Sequence, residues 1–274
     1  MRKVFPAIFL LLVLCSISTA ADDWKLVWSD EFNYEGLPDA KKWDYEEGFV
    51  RNNEAQYYTR ARKENARVEK GNLVIEGRKE KFKNARYKKG SPKWQESREF
   101  ANYTAASLIT RGKASWTYGR IEVRAKLPHG KGIWPAIWTL GDNRGKTPWP
   151  ACGEIDIMEF VGKQPGLVHG NAHFQVNGKH ASDHKSLKVE KPFDDFHIYA
   201  IEWYPDRIEF YFDKTHYHTF TLDKAGKGAA NPFRKPQYLL INLAIGGSWG
   251  GPIDDSVLPQ KYLVDYVRVY QKNK

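Results

Sequence analysis

The sequence predicts an all-β protein built as one antiparallel β-sandwich. Three observations predict it. Apolar and polar residues alternate along most of the chain, the period-2 signature of half-buried strands. Short turn signals, "KGN", "PHGKG", "VNGK" and "YPD", separate these stretches. No window of twelve or more residues carries a helical period. A chain of 274 residues can bury a sizeable core, and all-β folds of this length commonly form one domain.

The first elements are not structural. Residues 1–20 read as an export signal: Arg2 and Lys3 precede an apolar stretch too short to span a bilayer comfortably, and "STA" before Ala21 offers small residues for cleavage. This predicts a secreted protein, extracellular or periplasmic, whose residues 21–274 form a single domain. Cys15 would serve a lipoprotein only if Leu14, larger than the residue such sites favour, were accepted before it. Cys152 is then the sole cysteine left, so no intramolecular disulfide is available. No later segment is apolar enough to span a membrane.

The strands follow. "GNLVIEGRK", "GRIEVRAKLP", "FHIYAIEWY", "RIEFYFD", "YLLINLAIGG" and "YLVDYVRVYQ" all alternate or run apolar at strand length. In the second, Ile121, Val123, Ala125 and Leu127 take one face and Arg120, Glu122, Arg124 and Lys126 the other. A short helix or turn region is expected at Leu222–Phe233. No internal repeat or Pro-rich linker is present.

The formal charge is +10, falling to +8 once Arg2 and Lys3 are lost. The basic residues are scattered apart from the run Arg78–Trp94, which reads as a solvated hairpin. With no nucleic-acid motif, the charge does not point to nucleic acid. Ten Trp in an all-β chain point either to an unusual core or to aromatics exposed to something flat and apolar.

The chemistry concentrates in "ACGEIDIMEFVG", Ala151–Gly162, where three acids interrupt an apolar run. On a strand Glu154 and Asp156 share a face, with Ile155 and Ile157 on the other. Glu159 would point into the core unless one extra residue, a β-bulge at about Met158, returned it to the acid face. At ~3.3 Å per residue the two Glu backbones then stand about 13 Å apart. Leaning side chains could close the carboxyls to roughly 5 Å, the separation of a nucleophile and acid/base pair that hydrolyses a glycoside with retention. Three neighbouring carboxylates cannot all ionise freely, so a proton is held among them near neutral pH. Without its surroundings the row would fit equally an ordinary solvated sheet face or a calcium site.

The neighbouring stretches narrow this. "GIWPAIWTLG" puts Trp134, Ala136 and Trp138 on one face, where the indoles could serve as exposed platforms for sugar rings. "GNAHFQVNG" puts Asn171, His173 and Gln175 on a polar face, with His173 turned toward the acids. "NLAIGGSWGG" supplies Asn242 on a strand and Trp249 in a glycine-rich loop that lets backbone approach a ligand. "RNNEAQYYT" offers a further wall, with Asn53 as a sugar contact.

Together "GEIDIMEFVG", "YGRIEVRAKLPHGKGIWPAIWTLG", "RNNEAQYYT", "LLINLAIGGSWGG" and "YLVDYVRVYQ" resemble glycoside hydrolase family 16, in particular its bacterial laminarinase-like endo-1,3-β-glucanases. The resemblance spans about Trp24 to Gln271. It implies a jelly-roll, concanavalin A-like sandwich with a concave substrate groove and a retaining mechanism. It implies Glu154 as nucleophile, Glu159 as acid/base and Asp156 as the acid that tunes them. Trp134 and Trp138 become groove platforms, His173 the histidine beside the acids, and Asn53 and Trp249 sugar contacts. It implies a β-glucan partner, no catalytic cofactor and a monomer. It also raises a structural calcium on the convex side, near Glu31, the Gly71 carbonyl and Asp265. Two alternatives stay open: an agarase-, porphyranase- or carrageenase-like hydrolase of galactans, which the basic charge would suit, and a non-catalytic glucan-binding protein, which the retained acids oppose.

Overall fold

A computed structural model describes residues 24–273. The proposed export signal, with Cys15, lies outside them. Two β-sheets face one another. The sheet carrying the acids has seven strands, in the order Lys179–Lys188, Leu167–Val176, Glu154–Glu159, Ile133–Gly141, Gln237–Ile245, Ser107–Ile109 and Asp44–Tyr45. The second has ten, centred on Gly119–Lys126 between His197–Trp203 and Gln260–Lys272. Every pairing is antiparallel but one: Gln56–Tyr58 runs parallel to Phe100–Ala105. The long chain between these two segments supplies the crossover that a parallel pair needs.

The predicted faces hold. Along Gly119–Lys126 buried residues alternate with half-exposed ones, and Ile121, Val123 and Ala125 enter the inter-sheet core. Ile133, Ile137, Ile155, Leu239, Ile241 and Leu243 meet them from the seven-stranded sheet. Leu222–Phe233 folds as short 3₁₀ turns, pinned where the buried Trp203 indole N–H donates to the Phe233 carbonyl at 2.9 Å. Cys152 is buried and unpaired. No helix of the described residues is long and apolar enough to cross a membrane.

The chain leaves the acid strand through a backbone crossing that admits no side chain. A Cβ added at Gly162 would lie 1.7 Å from the Gly130 carbonyl oxygen. The Gly162 N–H also donates to the Ile133 carbonyl at 2.8 Å, so the two segments are tied where they touch. Gly162→Ala is therefore expected to cost about 3 kcal/mol, lowering the melting temperature by roughly 10 °C in a protein of this size. An unchanged melting curve would contradict the crossing.

Candidate active site

The bulge lies where the acid spacing requires it. Against the neighbouring strand Asp156 pairs with Trp138 and Met158 with Ile137, so Ile157 is the extra residue. Ile157 and Met158 both turn into the core, and Glu159 returns to the face of Asp156. Three rungs then cross the sheet. Glu154 stands between His173 and Leu140, Asp156 between Asn171 and Trp138, and Glu159 between His169 and Ala136.

The three acids line a cleft of about 250 Å³, open to solvent. Its walls include Trp134, Trp138 and Asn242, as expected, and also Arg51, Asn52, Glu54, Arg144 and Trp149. The mixed aromatic and polar lining suits a sugar.

The tryptophans are not exposed platforms. Trp134 is 8 % exposed and Trp138 6 %. Each indole N–H is committed, Trp134 to Glu159 Oε1 at 3.0 Å and Trp138 to Asn242 Oδ1 at 2.7 Å. The Arg51 guanidinium lies 4.8 Å from the Trp138 ring and pairs with Glu46. These rings line the cleft, Trp138 beneath Arg51 and Trp134 packed against Val161, Ala244 and Trp249. Asn242 hands on the network: its amide donates to the Tyr58 hydroxyl at 3.0 Å, and that hydroxyl donates to Glu54 Oε2 at 3.2 Å. Gln56 also donates to Glu54, at 2.7 Å.

Asn53 is exposed and falls outside the cleft wall, which takes Asn52 and Glu54 from either side of it. Trp249 packs edge-on against Trp134, with ring centres 5.4 Å apart, and 5.0 Å from His169, so it buttresses the Glu159 end. His173 does face the acids: Nε2 lies 3.3 Å from Asp156 Oδ2 and 3.9 Å from Glu154 Oε1.

The sequence reading missed Glu54, although Glu54, Gln56 and Tyr58 alternate as plainly as the residues it chose. It missed Trp149 because a turn-rich loop has no periodicity to read. Trp149 is 45 % exposed, lines the cleft and packs 4.8 Å from the His180 ring. Among the residues described, it fits the role of exposed platform best.

The electrostatics are uneven along the row. Burial first, then the charges of Asp156 and Glu159, hold the Glu154 carboxyl well above its ordinary value, while Arg51 pulls it down. Burial and then Asp156 raise Glu159 well above its own, with Glu54 adding to the rise and the Trp134 N–H opposing it. Burial, then His184, drops His169 to about 4, so it stands neutral beside Glu159 at neutral pH.

A raised carboxyl has a stability consequence. The unfolded chain releases these protons above about pH 4.5, whereas the folded chain retains them, so stability declines as pH climbs from there toward the folded values. Glu154→Gln removes one such group. It is expected to melt above the wild type at pH 8, with the gap closing toward pH 4. A lower melting temperature at pH 8 would contradict the assignment.

On the convex side the two carboxylates expected near a metal are held by arginines. Arg268 holds Glu31 through two hydrogen bonds, at 3.0 and 2.8 Å, and Arg124 donates to Asp265 at 2.6 Å. Asp265 is the extra residue at a bulge, with Tyr266 paired opposite Arg124. Both carboxylates are therefore neutralised by guanidinium groups. Among the described residues, the group of side chains close enough to share a cation is Glu154, Asp156 and His173.

Comparison with known proteins agrees with this geometry. Residues 53–268 match the family described as Glycosyl hydrolases family 16. A beta-glucanase of Rhodothermus marinus is 47 % identical, covering 96 % of this chain and 93 % of its own. The X-ray structure of the laminarinase from Rhodothermus marinus superposes with a TM-score of 0.79 at 46 % identity, over 92 % of this chain and 98 % of that one. A structure from work on endo-acting O-glycanases, which members of the human gut microbiota express to initiate mucin breakdown, superposes at 0.86 with 44 % identity, over 92 % of each chain. The chain therefore belongs to glycoside hydrolase family 16 and is a glycoside hydrolase.

Proposed function

We propose that the protein is an endo-acting, retaining β-glucanase that cleaves β-1,3 bonds in laminarin-like glucans and accepts mixed-linkage β-1,3-1,4-glucan. The observation that carries this is the acid row on the floor of an open, tryptophan-lined cleft. The names borne by the two Rhodothermus relatives support the substrate. An open cleft lets a polymer lie across the acids, which is what internal cleavage needs.

Glu154 attacks the anomeric carbon while protonated Glu159 gives its proton to the departing oxygen; water then resolves the glycosyl-enzyme with Glu159 as base. Burial and the shared charges raise both carboxyls, and one flanking charge at each works toward this division. Arg51 eases ionisation of Glu154, and Glu54 favours the protonated form of Glu159. Asp156, between them, is the tuning charge. No step calls for a cofactor.

Trp149 is the stacking platform near His173 and Glu154. Trp149→Ala is expected to raise KM for laminarin roughly fivefold with a smaller change in kcat, as loss of a stacking contact of about 1 kcal/mol would do. A change confined to kcat would contradict it.

A second reading has one observation behind it. The 0.86 superposition on a structure from work on O-glycanases favours a mucin O-glycan, with the same carboxylate chemistry. A reducing-sugar assay on laminarin, mixed-linkage glucan, agarose, carrageenan and mucin O-glycans separates the two. Activity on laminarin supports the proposal, and activity confined to a galactan or mucin glycan overturns its substrate. We also propose that residues 1–20 direct export, that residues 21–274 act as one catalytic domain, and that the enzyme works as a monomer.

A further inference from the structure

The acids share their end of the cleft with a row of histidines that the hydrolytic reading does not use. His173 Nδ1 lies 2.9 Å from His180 Nε2, and His173 Nε2 lies 2.9 Å from the Asn171 side-chain amide nitrogen. An amide nitrogen only donates, so Nε2 accepts and keeps no proton. The ring proton then sits on Nδ1 and is donated to His180. Nε2 also lies 3.3 Å from Asp156 Oδ2 and 3.9 Å from Glu154 Oε1, so a cation placed among them would take the lone pair over from the Asn171 amide. Asp156 is 2 % exposed, and its Oδ2 is buried without a hydrogen-bond partner. Three lone-pair donors thus converge, all within 4.8 Å of one another. A cation satisfies all three.

We propose that Glu154, Asp156 and His173 form a binding site for a transition-metal dication of the zinc class, and that the bound ion inhibits the enzyme by replacing the proton the acids share. The inhibitory half rests on the hydrolase reading of these acids; the binding half does not. Zinc bonds to N and O of about 2.0–2.2 Å at tetrahedral angles put neighbouring ligand atoms roughly 3.3–3.5 Å apart. The Asp156–His173 pair already has that separation, and the Glu154–His173 pair needs a closure of about half an ångström. One imidazole and two carboxylates suit zinc or copper, whereas calcium and magnesium prefer oxygen alone. His180 fixes the ligating tautomer from behind, the usual arrangement for a metal-bound histidine. The fourth position faces the cleft, where a sugar would lie.

The test is a calorimetric titration of the full folded protein with zinc chloride in a non-coordinating buffer at pH 7. One zinc per chain is expected. Affinity should fall at least tenfold in His173→Gln and about tenfold in His180→Gln, which removes only the support. His216→Gln should bind as the wild type, and calcium and magnesium should give no comparable heat. Thermal melts of each variant confirm folding. Absence of a single site, or a site that survives His173→Gln, overturns the proposal. So does a site lost in His218→Gln, which would place the ion at the outer His218–Asp183 pair instead. Titration in the presence of laminaritriose then reads the second half. Displacement of zinc by the sugar supports inhibition; simultaneous binding overturns it and leaves the metal site standing. Failure of the glucanase assay would leave the titration result intact.

Discussion

Glu154→Gln is expected to lower kcat on laminarin by roughly 10⁴-fold or more while the protein stays folded. The substitution keeps the side-chain shape and removes only the nucleophilic oxygen. Its neighbours make the loss hard to bypass. Asp156 is buried and points to His173, and Glu159 is held by the Trp134 indole at 3.0 Å on the next rung but one. Neither can swing into the place of Glu154 without breaking a contact on a rigid strand. Binding of glucan oligosaccharides should survive, since the cleft walls are untouched. A kcat within tenfold of the wild type would remove Glu154 from the chemistry.

Glu159→Gln should behave differently. Its defect depends on how badly the departing oxygen needs a proton. On laminarin kcat should fall roughly 10²–10⁴-fold, the ordinary worth of a general acid. On an aryl laminaribioside with a nitrophenolate leaving group, bond cleavage should be nearly unimpaired, and the slow step becomes breakdown of the glycosyl-enzyme. The alkaline limb of the wild-type profile should also vanish, because that limb records loss of the proton that burial and Asp156 hold on Glu159. Equal losses on both substrates would show that Glu159 is not the acid.

Much of this was legible because strands write their faces into the sequence. The alternation of Glu154 and Asp156 against Ile155 and Ile157 placed the row, and the five-residue step to Glu159 demanded a bulge that the ladder locates at Ile157, one residue from the position expected. The pairing of Trp134 and Trp138 on one face was legible for the same reason. Their burial was not, because Trp138 is covered by Arg51, some eighty residues earlier, and Trp134 by Trp249, more than a hundred residues later, and no local pattern records such meetings. The choice of Asn53 over Glu54 failed at a left-handed turn: Asn52 and Asn53 both have positive φ, which breaks the alternation just before the short strand begins. The convex-side carboxylates looked free in the sequence because Arg124 and Arg268 reach them only through strand pairing and the bulge at Asp265. Trp149 had no periodic context at all.

The histidines teach the same lesson in a milder form. His180, Ser182 and His184 alternate as cleanly as Asn171, His173 and Gln175, and the turn "VNGK" already predicted the hairpin that joins them. The cross-strand partners were therefore readable. The side-chain contacts that hold His173 beside Asp156 were not, since an amide and an imidazole each meet its ring at 2.9 Å.

The most direct test of the central claim is to trap the intermediate. The protein would be incubated with a 2-deoxy-2-fluoro laminaribioside bearing an activated leaving group, digested, and mapped by mass spectrometry. A single glycosyl adduct on Glu154 is the result predicted. An adduct on Glu159, or turnover of laminarin with inversion of the anomeric centre and no adduct, would contradict it.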